Sequence, residues 1–275
     1  MLPVGPVFKK VYGKRMSDSL QVSATAPTSE RLSERLIVAL DLPSGPEAIA
    51  LAEQLRPLGV TFKVGMQLFY KEGMAVVRAL QSTGQTSGSS VFLDLKLHDI
   101  PNTVAQATVS LVSQGVRFFN VHATGGPDMM SASVKAAREA AAENQQPDPT
   151  VIAVTLLTSI SPQQLHTALQ VHSSVEDYVV HLARQAQDCG LQGVVCSPQE
   201  APLIRKACGE DFLLITPGIR PLGSASGDQA RVLTPAQAMA AGADYLVIGR
   251  PITAAPNPLQ AAQAILDEMM AVVAV

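Results

Sequence analysis

From Leu36 onward, short runs of β-branched and other apolar residues alternate with longer Ala-rich, amphipathic stretches. The apolar runs are Leu36 to Asp41, Val60 to Val64, Val91 to Leu97, Val116 to His122, Val151 to Leu156, Gly193 to Ser197, Phe212 to Thr216 and Tyr245 to Ile248. The stretches between them read as helices: Pro46 to Leu55, Gly73 to Gln81, Thr103 to Gln114, Met129 to Glu143, Val175 to Cys189, Pro198 to Cys208 and Pro235 to Ala241. Leu259 to Val273 closes the series. Repeated βα units around a parallel sheet produce this alternation, because their strands are buried on both faces and their helices on one. Eight such pairs in 275 residues predict an α/β fold, a single-domain closed (β/α)₈ TIM barrel.

Composition agrees with one large core. Hydrophobic residues make up 47% of the chain and charged residues 16%, far from the disordered class. Residues 1–33 are rich in Ser, Pro, Thr and Gly without periodicity, and read as a mobile extension or a mis-assigned start upstream of Met16. The catalytic barrel is then expected over residues 34–275. A net charge of −3 gives no general attraction for nucleic acid or an acidic membrane, so any anion site must be local. No apolar run reaches the roughly 18 residues of a membrane helix, and the basic N-terminus lacks the apolar stretch of a signal peptide. Three cysteines, Cys189, Cys196 and Cys208, contain no CxxC pair and are expected as buried thiols in a reducing, cytoplasmic setting.

Against this apolar background, charges inside strands stand out. Asp41 ends the first run, Lys63 lies near the end of the second, and Asp94 and Lys96 near the end of the third, followed by His98 and Asp99. All fall at the C-terminal rim, where barrels of this kind place their chemistry. Side chains alternate along a strand, so Asp94 and Lys96 share a face, and burying either alone would strand a charge. Asp99 lies past the strand end, before Pro101 and Asn102, where a turn can swing it back or toward a neighbouring chain. With Lys63 these groups can form a Lys, Asp, Lys, Asp array that holds Lys96 as a proton donor beside a fixed carboxylate. A single such pair is more often a structural plug; four charges at one rim favour catalysis. A lone strand-end histidine such as His122 reads as structural, and no HxxxH or HExxH pattern marks a metal site, so no metal is expected.

The last two units carry a different signal. Thr216-Pro-Gly-Ile-Arg220 is followed by a small-residue loop containing Gly223, Ser224, Ser226, Gly227, Asp228 and Gln229, which reads as a lid. The eighth run ends in Gly249-Arg250, where a glycine admits backbone amides to an anion and an arginine binds it through two parallel hydrogen bonds. Phosphate sites in these barrels often follow strands seven and eight, so a phosphorylated substrate is expected.

The segment Asp94-Leu-Lys96-Leu-His-Asp99-Ile-Pro-Asn-Thr103 resembles the DxKxxDIPxT signature of the orotidine 5′-monophosphate decarboxylase family, and the long segment between Ser159 and Val194 with the Val195-Cys196-Ser197 strand end resembles its bacterial branch. The resemblance also takes in Ala39-Leu-Asp41, Lys63, Thr155-Leu-Leu-Thr158-Ser159, Arg220 and Gly249-Arg250, and so nearly everything after the extension. It implies conversion of orotidine 5′-monophosphate to uridine 5′-monophosphate, the last step of de novo UMP biosynthesis, without metal or cofactor. In that implied scheme Lys96 donates a proton to C6 of the pyrimidine, and Asp94 faces the departing carboxylate. Asp41 and Lys63 hold the ribose hydroxyls, and Thr158 and Ser159 meet the polar edge of the base. Arg220, Gln229, Gly249 and Arg250 grip the phosphate. Asp99 and Thr103 reach into the site of a partner subunit, which implies a homodimer. Metal-dependent sugar-phosphate decarboxylases and aldolases resemble the chain in the same strand but tend to carry an acidic residue where Lys63 stands. A non-catalytic nucleotide-binding barrel is the other alternative, and the complete charged array argues against it.

Overall fold

The structure is a computed structural model that describes residues 32–82, 91–221 and 233–273. Eight parallel strands close into a barrel in sequence order: β1 (Leu36–Ala39), β2 (Thr61–Gly65), β3 (Val91–Leu97), β4 (Phe118–His122), β5 (Thr150–Val154), β6 (Gly193–Val195), β7 (Leu213–Thr216) and β8 (Tyr245–Ile248). β8 pairs with β1 through Leu36 and Leu246, Ile37 and Val247, and Val38 and Ile248. All eight expected strands are present, with ends differing by a few residues. The shortest, β6, stops at Val195 rather than Ser197 because the chain turns there, with buried Glu200 accepting the Ser197 amide through Oε2 at 2.9 Å.

Two apolar layers hold the barrel. Ile37, Phe92, Phe118, Ile152 and Ile215 meet inside it, with Phe92 and Phe118 stacked at 4.4 Å between ring centroids. The opposite faces of the strands, including Leu36, Val38, Phe62, Leu93 and Phe119, pack outward against the helices. Inward and outward positions thus alternate along each strand, and the inward row above the inner cluster carries the polar groups described below. Leu32 and Ser33, just ahead of β1, are also buried. Close approach of β6 to β7 requires Gly193: a Cβ there would fall on the Leu213 carbonyl.

The helices depart from expectation in three places. The stretch read as a helix from Gly73 runs from Met74 to Ser82, and an unforeseen helix, Met66–Glu72, precedes it across Gly73, where φ is +60°. Between β5 and β6 lies an unforeseen short helix, Pro162–Thr167, whose Ser161 and Gln164 form a capping box. After β8, Arg250 opens a four-residue turn of helix, Arg250–Thr253. Only Cys196 of the three thiols is buried; Cys189 and Cys208 are half-exposed at helix ends. Burial and nearby Glu200 push the Cys196 thiol well above its ordinary range, leaving it a neutral core side chain.

Candidate active site at the barrel mouth

The inward rows of β1, β2 and β3 deliver the charges. Lys63 lies beside Ala39 on one side and Phe92 on the other, while Gly65 lies beside Asp94. The Leu40 amide continues the ladder to the Lys63 carbonyl at 3.0 Å, which carries Asp41 over the barrel mouth. There Lys63 Nζ is 3.1 Å from Asp41 Oδ1 and 3.3 Å from Asp94 Oδ2, and Lys96 Nζ is 2.6 Å from Asp94 Oδ1. Within the chain the array therefore runs Asp41, Lys63, Asp94, Lys96. Asp41 supplies the second carboxylate; Asp99 stands outside, exposed, its Oδ1 accepting the Ile100 amide at 2.6 Å.

Asp94 and Lys96 meet, but not through regular strand geometry. The β3–β4 register shifts between Leu93 and Leu97, and Lys96 has φ +55°, the left-handed region that side chains other than glycine rarely adopt. Asn120 of β4, 1% exposed, fills the gap this leaves. Its Nδ2 donates to Asp94 Oδ1 at 2.7 Å and its Oδ1 accepts the Lys96 backbone amide at 2.8 Å. Asn120 escaped the sequence reading, although an amide within the apolar run Phe118-Phe-Asn-Val-His122 was its signal: a polar group there must find partners. Gly65 was also missed. A Cβ there would sit 2.9 Å from both Asp41 Oδ1 and Lys63 Nζ, so the ion pair requires its absence.

Burial opposes charge on Asp94, yet the Lys63 and Lys96 ammonium groups and hydrogen bonds from Lys96 and Asn120 outweigh it, and the carboxyl is held below its ordinary value. Asp94 is thus an anion at neutral pH. His122, tilted against His98 at 5.2 Å, behaves differently. Burial, then His98 and Lys96, bring its imidazole down to about 4 against the opposing pull of Asp94. It is neutral at pH 7, so Lys96 is the cation that faces Asp94 from within the strand pair.

Above this array opens a cavity of about 550 Å³. Asp41, Lys63, Asp94 and Lys96 line one part, Thr158 enters after β5, and Arg220, Gly249 and Arg250 line it from the β7 and β8 side. The Arg220 amide donates to the Leu233 carbonyl at 2.9 Å, tying together the two sides of the expected lid. That loop, with Gly223, Ser224, Ser226, Gly227, Asp228 and Gln229, lies outside the described residues. Ser159, Asp99 and Thr103 are exposed and are not among the residues lining the cavity.

A closed barrel with lysines and aspartates interleaved at its mouth, facing two arginines across one cavity, defines a (β/α)₈-barrel enzyme. Residues 34–265 match the orotidine 5′-phosphate decarboxylase / HUMPS family. Orotidine 5′-phosphate decarboxylase of Heliobacterium modesticaldum is 51% identical over 236 residues, 86% of this chain and 96% of that protein. The Moorella thermoacetica enzyme of the same name is 49% identical, over 86% and 92%. Among solved structures, orotidine 5′-phosphate decarboxylase from Lactobacillus acidophilus superposes with a TM-score of 0.73 at 37% identity, covering 85% of this chain and 98% of that one. An uncharacterized conserved protein from Geobacillus kaustophilus gives 0.72 at 40% identity, over 85% and 99%. The chain belongs to the orotidine 5′-phosphate decarboxylase / HUMPS family.

Proposed function

We infer that this chain is a carboxy-lyase that converts orotidine 5′-monophosphate to uridine 5′-monophosphate and carbon dioxide, the last step of UMP biosynthesis, with Lys96 as proton donor. The observation that carries the reading is the Asp94 carboxylate held between two ammonium groups, at 2.6 and 3.3 Å, in a cavity lined elsewhere by Arg220 and Arg250. Breaking the bond between C6 and the carboxylate leaves an electron pair on C6 that the pyrimidine ring does not absorb, so the site must stabilise that charge directly. The Lys96 ammonium does so and then delivers its proton to C6. Asp94 beside the substrate carboxylate contributes repulsion of about 4 kcal/mol, taking a separation of ~4 Å and an effective dielectric of about 20, and the departure of carbon dioxide relieves it. Asp41 and Lys63 hold the ribose hydroxyls, and Thr158, which lines the cavity, the edge of the base. Arg220, Gln229, Gly249 and Arg250 grip the phosphate. An ultraviolet assay of orotidylate loss in the presence of a chelator tests the reading. The rate is expected to match that without chelator. No loss of orotidylate would refute the activity, and loss abolished by the chelator would point to the metal-dependent sugar-phosphate relatives.

The active unit is a homodimer in which Asp99 and Thr103 complete the partner's site. Ile100 supports this, being 66% exposed beside Asp99 as a large apolar side chain without cover in the single chain. Lys96→Ala and Asp99→Ala chains are each expected to be nearly inactive, while a mixture allowed to exchange subunits regains activity, because each mixed dimer holds one unaltered site. A mixture no more active than its parts would exclude sharing across the interface.

A further inference from the structure

The array depends on a residue that carries no charge. We propose that Asn120 is the positioning residue of this site, fixing the Asp94 carboxylate and the backbone at Lys96 before any substrate enters. The inference rests on the roles assigned above to Asp94 and Lys96.

Three observations carry it. The ladder between β3 and β4 is interrupted between Leu93 and Leu97, so the Lys96 amide donates to the Asn120 side chain, at 2.8 Å. Lys96 adopts its disfavoured left-handed backbone at that point, and this hydrogen bond is one that a regular strand conformation would not offer. The other end of the same amide donates at 2.7 Å to Asp94 Oδ1, the oxygen that also takes the Lys96 ammonium at 2.6 Å, while Oδ2 remains toward Lys63. A backbone N–H only donates and a carboxylate only accepts, so one orientation of the Asn120 amide satisfies both. Asn120 therefore couples where the Lys96 main chain sits to which way the Asp94 carboxylate turns.

The surroundings leave this role to Asn120. The Asp94 carboxylate it holds is coupled to Lys63 of β2 and Lys96 of β3, and His122 of its own strand is coupled to His98, Lys96 and Asp94. On the β5 side Asn120 lies next to Ile152, which offers no hydrogen bond. Removing the amide would leave Asp94 with its two lysines but unsteered, and Lys96 free to relax toward ordinary strand geometry, which turns its ammonium off the reacting carbon. Misplacement of a catalytic group by about 1 Å costs on the order of 10²-fold in rate.

Two variants test the proposal. Asn120→Ala is expected to lower kcat about 100-fold with KM and affinity for uridine 5′-monophosphate within about threefold of the unaltered enzyme, since the phosphate grip is elsewhere. Asn120→Asp has nearly the same shape but sets a carboxyl against Asp94, and two adjacent carboxyls retain a shared proton. It is expected to lose kcat to a similar extent and to shift the acid limb of the kcat profile to higher pH, which a merely structural role would not do. Should the Ala variant fail to fold, the Asp variant decides alone. Turnover within threefold of the unaltered enzyme, or a kcat loss matched by an equal loss of nucleotide affinity with an unmoved pH profile, would overturn the inference. If Lys96→Ala keeps its activity, the underlying reading fails; if Lys96→Ala is inactive and the Asn120 variants are not, only this inference does.

Discussion

Lys96→Ala is expected to lower turnover of orotidine 5′-monophosphate by on the order of 10⁴-fold while leaving affinity for uridine 5′-monophosphate nearly unchanged. General acid catalysis contributes about 10²- to 10⁴-fold, and loss of a single preorganised charge that stabilises a transition state about 10²- to 10³-fold. In the proposed mechanism one ammonium performs both tasks, so the losses overlap rather than multiply, and the upper end of the first range is expected. Nucleotide affinity survives because Arg220 and Arg250 line the cavity from segments that follow β7 and β8. Asp94 keeps Lys63 at 3.3 Å and the Asn120 amide at 2.7 Å, so the carboxylate is not orphaned and the fold should hold. Steady-state turnover by ultraviolet absorbance, with product binding measured separately, checks both halves. A variant retaining more than a few per cent of the original turnover would end the assignment of Lys96 as proton donor.

That prediction could be framed from the sequence because charges in doubly buried strands are conspicuous. Asp41, Lys63, Asp94 and Lys96 interrupt runs that are otherwise apolar, and burial obliges such groups to pair. The same contrast made the eight strands legible, whereas the helix Pro162–Thr167 is six residues long, too short to establish a period. The details of the site were a different matter. Alternation along the strand put Lys96 beside Asp94, and the two do meet, but through a bulge and a left-handed residue that no period-two pattern announces. Asn120 is neutral and Gly65 has no side chain, so neither registers as chemistry; each matters only through a neighbouring strand, and register is what a single sequence conceals. The sequence offers Asp99 two destinations, its own site or a neighbouring chain's, and its place outside the cavity of one chain is the geometry that gives the second chain its proposed part.

Arg250→Ala is expected to separate the phosphate from the rest of the substrate. Arg250 lines the cavity just past β8, and Arg220, past the end of β7, lines it too, in the cavity that also holds the charged array. Two parallel charge-assisted hydrogen bonds to a phosphate, at about 1.5 to 3 kcal/mol each, would together exceed 3 kcal/mol if fully desolvated; Arg250 is exposed, so the lower value is the better guide. That corresponds to a loss in kcat/KM for orotidine 5′-monophosphate on the order of 10²-fold. Phosphate-free orotidine makes none of these bonds, and its already slow reaction should change by less than about twofold to threefold. The contrast matters beyond binding. Decarboxylation without a cofactor demands a barrier reduction of up to ~23 kcal/mol or more, larger than the Asp94 repulsion and the Lys96 charge supply. Binding energy from the distant phosphate must then be expressed at the pyrimidine, so part of the loss should appear in kcat and not only in KM. Equal losses for the two substrates would remove Arg250 from the phosphate site, and a loss confined to KM would uncouple that grip from the chemistry.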